Sequence, residues 1–250
     1  MKNIIVGGCS FTDKNMPKNS RPKPLDFKMW GELIGEKLNC EVINTGKAGF
    51  GNHAIYHTTL NAIMNNKVDH VFVMWSEWTR QDFLIDSLAS SARMGGSIGG
   101  DYISLHPCIF NPNADSVRKW YSESFGKNFP HKHMGEDFSA SMPNIKQLVH
   151  TNINYMYSIQ VICEKLNIGY TACQAMDTDI LPSLLIKHPN LEHIKNFYGW
   201  PVDKKLGGFT MIDLLREEYG QSYRVSEIDG HPNEIGHKFI ANKLMEYANV

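Results

Sequence analysis

Long hydrophobic runs, metal-type cysteine spacing, excess charge and internal repeats are all missing from this chain, and each absence excludes a class of protein. No stretch approaches the roughly 20 apolar residues that a membrane-spanning helix needs. The five cysteines, Cys9, Cys40, Cys108, Cys163 and Cys173, form no CxxC or CxxxC pair. Such an odd, scattered set suits neither a disulfide framework nor a zinc site, so reduced thiols and no structural metal are expected. Lys and Arg number 25 against 26 Asp and Glu, for a formal net charge of -1, so no global field draws nucleic acid or an anionic membrane to the protein. The apolar stretch near Met1 is too short for a signal h-region, and Val6-Gly7-Gly8-Cys9 imitates a lipoprotein cleavage site without one. The expected setting is therefore cytoplasmic, or a particle assembled there.

What is present is a regular alternation of strand and helix patterns. Ile4 to Gly7 is a short apolar run that ends in Gly-Gly, as suits a strand buried on both faces that turns sharply at its carboxyl end. Phe27, Trp30, Leu33, Ile34 and Leu38 recur at helical spacing after Asp26, which predicts a helix over 27–38 with Asp26 as N-cap. Glu41 to Asn44 reads as a second strand. Gly46, Gly49 and Gly51 punctuate the next turn, and Asn52 is placed to cap a helix whose apolar face is Ile55, Leu60, Ile63 and Met64. His70 to Trp75 is a third strand.

From about 81 to 145 the periodicity degrades, with Gly95-Gly96, Gly99-Gly100, aromatics and prolines, and is read as an insertion or cap. A long helix over 146–166 and a strand over Ile168 to Cys173 follow. Residues 177–219 read as helix and loop. Pro232 suits the first turn of a final helix that turns Ile235, Phe239, Ile240, Leu244 and Tyr247 inward. This order predicts one α/β domain over 1–250, a three-layer α/β/α sandwich on a mostly parallel, flavodoxin-like sheet of four to five strands. Ligands of such sheets bind beyond the carboxyl ends of the strands, where Ser10, Gly49 and Trp78 all fall.

The two ends of the chain hold the groups of a nucleophilic site. Ser10 follows the first strand, with its own N–H free to hold an oxyanion. Asp229-Gly230-His231-Pro232-Asn233 supplies an imidazole to take the serine proton and a carboxylate to orient it. The motif around Ser10 is not the GxSxG elbow of the α/β-hydrolases. Read blandly, Ser10 bonds local backbone in a turn, and Asp229-Gly230 is a surface turn before a capped helix.

Taken together, Gly8-Cys9-Ser10-Phe11-Thr12, Asn44-Thr45-Gly46-Lys47-Ala48-Gly49 and the closing His231-Pro232-Asn233-x-x-Gly236 resemble the blocks of the SGNH (GDSL-like) hydrolases in their order. The resemblance implies an esterase or carbohydrate O-deacetylase without cofactor. Ser10 would be nucleophile, His231 base and Asp229 its orienting carboxylate, with the N–H groups of Ser10 and Gly49 in the oxyanion hole. It covers both ends and residues 4–80, and leaves most of 81–220 unassigned.

Two departures stand out. The third block of the family ends in an asparagine that donates to the oxyanion, whereas here the strand continues as Met74-Trp75-Ser76-Glu77-Trp78-Thr79-Arg80. Trp78 and Asn52 are the candidates to replace it, with Thr79 and Arg80 behind them. The family places its aspartate three residues before the histidine, where this chain has Ile228; Asp229 stands two before, and Glu227 is the reserve. A non-catalytic binding or structural protein on the same scaffold, such as a particle component, is the rival reading. His131 and His133, near Asp137, lack the spacing of a metal site. Lys14, Lys18, Arg21 and Lys23 form a basic loop beside Ser10 that could attract an anionic substrate.

Overall fold

The computed structural model describes residues 3–14, 25–84, 102–105, 145–178, 182–227 and 229–250. Its centre is a five-stranded, fully parallel sheet: β1 (Asn3–Gly8), β2 (Glu41–Asn44), β3 (His70–Trp75), β6 (Gly169–Gln174) and β7 (Phe197–Tyr198), in the spatial order β2-β1-β3-β6-β7. Ile4, Ile5 and Val6 on β1 and Val71 to Trp75 on β3 are buried, as continuous apolar strands covered on both faces must be. Each large apolar side chain so buried contributes about 1.5–3 kcal/mol. The helices are α1 (Trp30–Leu38), α2 (Asn52–Asn65), α3 (Ile145–Lys165), the single turn α4 (Pro182–Leu185), α5 (Met211–Tyr219) and α6 (Glu234–Ala248).

Two glycines show how the layers are assigned. A Cβ on Gly31 of α1 would lie 2.7 Å from a Val6 methyl, and one on Gly7 would lie 2.4 Å from Thr59 Oγ1 of α2. Successive residues of a strand point to opposite faces, so α1 and α2 flank β1 on opposite sides. Helix α6 packs beside α1, and α3 beside α2. The α/β/α sandwich expected from the sequence is present, with β1 and β3 at its middle. There the strand order reverses, and in sheets of this kind ligands bind beyond the carboxyl ends of the strands at that point.

Several local expectations are corrected. Helix α1 starts at Trp30, and Asp26 is exposed and does not cap it. The Met29 N–H instead donates to Glu32 Oε2 at 2.7 Å, so the carboxylate three residues ahead meets the orphan amide. In α2 the cap is Gly51, Asn52 is the first helical residue, and the buried stripe is Ala54, Ile55, Thr59 and Ile63, leaving Met64 exposed. Pro232 precedes the final helix, whose cap is Asn233 with Oδ1 accepting from Ile235 and Gly236 N–H at 3.1 and 3.2 Å. The buried face of α6 is Gly236, His237, Ile240, Ala241 and Leu244, so Ile240 and Leu244 point inward as expected while Ile235 and Tyr247 face outward. Within the expected insertion, β4 (Gln81–Leu84) and β5 (Tyr102–Leu105) form an antiparallel pair. The rest of it, with His131, His133 and Asp137, lies outside the described residues, as do Lys18, Arg21 and Lys23 of the basic loop. Among the described residues no helix is long and apolar enough to cross a membrane.

One packing detail carries a pH dependence. The His70 ring lies over Gly169, where a Cβ would sit 2.2 Å from Nδ1, stacks on Phe72 at 4.2 Å, and has Nε2 3.0 Å from Thr171 Oγ1. Burial lowers its pKa to about 4 from the ordinary 6.5. Between those values the unfolded chain holds a proton that the folded chain refuses. Stability is therefore full above about pH 6.5 and falls as the pH drops towards 4, by on the order of 3 kcal/mol. Urea midpoints measured at pH 7 and 4.5 should converge in His70→Gln relative to wild type. Equal losses in both proteins would refute the assignment.

Candidate active site

Ser10 stands at the carboxyl end of β1 in a tight turn: Cys9 C=O accepts from Thr12 N–H at 2.9 Å and from Asp13 N–H at 3.2 Å. That turn sets Ser10 at the carboxyl edge of the sheet, where the residue is 9% exposed. Cys9 beside it is fully buried. The Ser10 N–H donates to no acceptor among the described residues.

The partner imidazole comes from the loop before α6. Val225 N–H donates to His231 C=O at 2.9 Å, Arg224 and Pro232 form an isolated bridge, and Asn233 Nδ2 donates to Ser222 and Arg224 C=O at 2.8 and 3.0 Å. Asn233 thus caps α6 with its oxygen and ties down the preceding loop with its nitrogen. The result is a linear relay. His231 Nε2 lies 2.8 Å from Ser10 Oγ, and Nδ1 lies 2.6 Å from Asp229 Oδ1. The same Oδ1 accepts the His231 backbone N–H at 3.1 Å, a tight turn that a two-residue offset across Gly230 permits. Glu227, the reserve carboxylate, is exposed.

A carboxylate only accepts, so the tautomer that suits these contacts has Nδ1 donating to Asp229 and Nε2 accepting from the Ser10 hydroxyl. The Phe11 ring meets the imidazole edge-on at 5.2 Å and holds its plane. The side chains of His231 and Asp229 are 24% and 14% exposed and Ser10 is 9% exposed, so the imidazole in the middle is the most accessible of the three.

The loop after β2 is laced to the serine turn. Lys47 N–H donates to Gly8 C=O at 3.1 Å, Ala48 N–H to Asp13 Oδ2 at 2.9 Å, Gly46 N–H to Asn44 Oδ1 at 2.8 Å, and Phe50 N–H to Lys47 C=O at 3.2 Å. Gly51 N–H goes to Asp82 Oδ1 at 2.7 Å. Between them Gly49, at φ 89°, has an N–H without an acceptor among the described residues. The left-handed backbone there favours glycine.

The two candidates for a third donor are engaged elsewhere. Asn52 Nδ2 donates to Ser76 C=O at 3.1 Å and to Asn152 Oδ1 at 2.6 Å, and its Oδ1 accepts from Ser76 N–H at 2.7 Å. Fully buried Trp78 donates its indole N–H to Gln174 Oε1 at 3.0 Å. Gln174 Nε2 in turn donates to Ser76 and Met176 C=O at 2.8 and 3.0 Å, and Asn152 Nδ2 to Trp78 and Leu148 C=O at 3.0 and 2.8 Å. These side chains form a buried polar lattice. Arg80, another candidate, spans Phe50 C=O at 3.1 Å and Glu77 Oε2 at 3.2 Å. Asp13, Asp82, Asn152 and Gln174 were not singled out from the sequence. Their partners lie 35, 31, 100 and 98 residues away, and no local pattern marks such pairings. Among the described residues no three His, Cys, Asp or Glu side chains are grouped to hold a metal ion.

No protein-family model matches this chain, and no curated protein matches it. Solved structures similar to it include an acetylxylan esterase from Geobacillus stearothermophilus, at 8% identity and TM-score 0.48 over 100% of this chain and 94% of that one. Esterase EstA from a Pseudoalteromonas species is similar at 10% identity and TM-score 0.46, over 100% and 97%. A member of the lipolytic G-D-S-L family from Veillonella parvula is similar at 15% identity and TM-score 0.44, over 98% and 97%. At such identities and TM-scores, these likenesses assign no activity to this chain.

Proposed function

We propose that the protein is a serine hydrolase of carboxylic esters, with small-molecule esters and O-acetylated carbohydrates as its substrate classes. The observation that carries this reading is the relay from Asp229 through His231 to Ser10, with contacts of 2.6 and 2.8 Å. Ser10 Oγ attacks the ester carbonyl while its proton passes to His231 Nε2, and Asp229 stabilises the imidazolium. The N–H groups of Ser10 and Gly49 receive the developing oxyanion. His231 returns the proton to the departing alkoxide as the C–O bond breaks. Water then attacks the acyl-serine, giving its proton to Nε2, which passes it to Ser10 Oγ as the acyl–oxygen bond breaks and the carboxylic acid leaves.

A fluorophosphonate probe should label one residue, Ser10, with a stoichiometry approaching one, read by mass spectrometry of the digested protein. Ser10→Ala should take no label and should hydrolyse p-nitrophenyl acetate no faster than buffer. Wild type and Ser10→Ala of equal activity would refute the proposal.

A rival reading is favoured by the engagement of Asn52 and Trp78, which leaves the proposed hole two backbone donors. On it the chain is a binding or structural protein that retains the relay without turnover. Loss of one donor typically costs about a hundredfold to a thousandfold in rate, so slow but Ser10-dependent hydrolysis fits the enzyme, and its absence fits the rival.

A further inference from the structure

We infer that Asp82, supplied by β4 at the start of the inserted segment, is a positioning residue for the loop that carries Gly49. The inference rests on the reading of Ser10, His231 and Gly49 as an ester-hydrolysing site. Asp82 Oδ1 accepts Gly51 N–H at 2.7 Å, and Oδ2 accepts Ala54 N–H at 2.8 Å. Both amides belong to the start of α2, where backbone donors have no helical partner, and a carboxylate satisfies them more strongly than a neutral acceptor would.

The location gives that cap a further role. Gly51 is two residues past Gly49, and Phe50 between them is itself held, its C=O by Arg80 Nη1 at 3.1 Å and its N–H by Lys47 C=O at 3.2 Å. The sheet side of the loop is fixed by Gly8, Asp13 and Asn44, and the outer side by residues 80 and 82. Gly49 is thereby left with an N–H that no acceptor among the described residues takes. A donor contributes to catalysis only if it is already aimed at the oxyanion, and a displacement of about 1 Å costs about a hundredfold. Asp82 therefore acts through Gly49 and never touches substrate.

Gly51 provides an independent handle. Its φ of -89° is open to any residue, but a Cβ there would lie 2.8 and 2.9 Å from the two Asp82 oxygens. Gly51→Ala thus presses on the carboxylate, and on the Arg80 C=O at 3.0 Å, without changing a charge, and Asp82→Asn turns an amide NH₂ against one of the two N–H donors.

Both variants should lower kcat on p-nitrophenyl acetate by about tenfold to a hundredfold with KM within about threefold. The Ki of phenylboronic acid, whose tetrahedral adduct on Ser10 places an oxygen in the hole, should rise in parallel. Thr210→Ala, which removes the cap of α5 (Thr210 Oγ1 accepts from Asp213 N–H at 3.3 Å), is the control for a merely structural loss. It should lower the melting temperature comparably and leave kcat within about threefold. The inference falls if Asp82→Asn and Gly51→Ala keep wild-type kcat, if KM alone changes, or if Thr210→Ala loses kcat equally. A wild-type protein that neither hydrolyses esters nor takes a fluorophosphonate label removes the parent reading and this one together.

Discussion

Asp229→Asn should lower kcat/KM for p-nitrophenyl acetate by about 10³- to 10⁴-fold, nearly all of it in kcat, while Glu227→Gln should change it less than about twofold. The asymmetry follows from the atoms each carboxylate meets. Asp229 Oδ1 lies 2.6 Å from His231 Nδ1, whereas Glu227 is exposed. Asparagine preserves shape but carries no charge to stabilise the imidazolium. Its NH₂ can also donate to Nδ1, which moves the ring proton to Nε2 and deprives Ser10 of its proton acceptor. The loop is held through Asn233 and Val225 as well as through Asp229, so the variant should stay folded, with an unchanged circular dichroism spectrum. A drop below tenfold, or a larger drop in Glu227→Gln, would show that the carboxylate does not carry this role.

Much of this architecture is legible in the chain because the signals are local. Ile4 to Gly7 is apolar on both faces because β1 is central, and His70 to Trp75 repeats the pattern because β3 is its neighbour. Ser10 and the 229–233 segment can be picked out because a strand end and a helix start concentrate chemistry in a few residues. The helix edges were less legible. Asp26 is the cap that the sequence offers, but the helix begins at Trp30, where Met29 N–H meets Glu32 and the Trp30 backbone N–H meets His237 Nδ1 at 3.3 Å, a partner 207 residues away that no local pattern marks. The inward face of α6 was only partly legible: Ile240 and Leu244 are buried as expected, but the stripe runs through Gly236, His237 and Ala241, small or polar residues that an apolar count passes over, and leaves Ile235 and Tyr247 outside. Least legible of all was the lattice of Asn52, Ser76, Trp78, Asn152 and Gln174. Each member reads alone as a cap, a turn residue or an aromatic of the core. Only the fold brings residues from α2, the segment after β3, α3 and β6 to one buried point.

That lattice makes Trp78 the most consequential side chain to test outside the relay. If its indole N–H were an oxyanion donor, Trp78→Phe would lose about a hundredfold or more in kcat with little change in stability. The geometry predicts the reverse. The N–H is spent on Gln174 Oε1 at 3.0 Å, and both residues are fully buried. Trp78→Phe should therefore leave kcat within about threefold, yet cost about 1–3 kcal/mol, because Gln174 Oε1 loses its donor where water cannot replace it. Trp78→Ala opens a cavity among the large buried side chains as well, and should cost roughly 3–5 kcal/mol, lowering the melting temperature by roughly 8–15 °C. Thermal melts and urea midpoints read the stability, and kcat measured well below each midpoint reads the site. A Trp78→Phe protein of wild-type stability and hundredfold lower kcat would place the indole in the oxyanion hole. A destabilised protein with near-normal kcat leaves the hole to the backbone of Ser10 and Gly49, so its strength depends on how rigidly the loop from Gly46 to Gly51 is held.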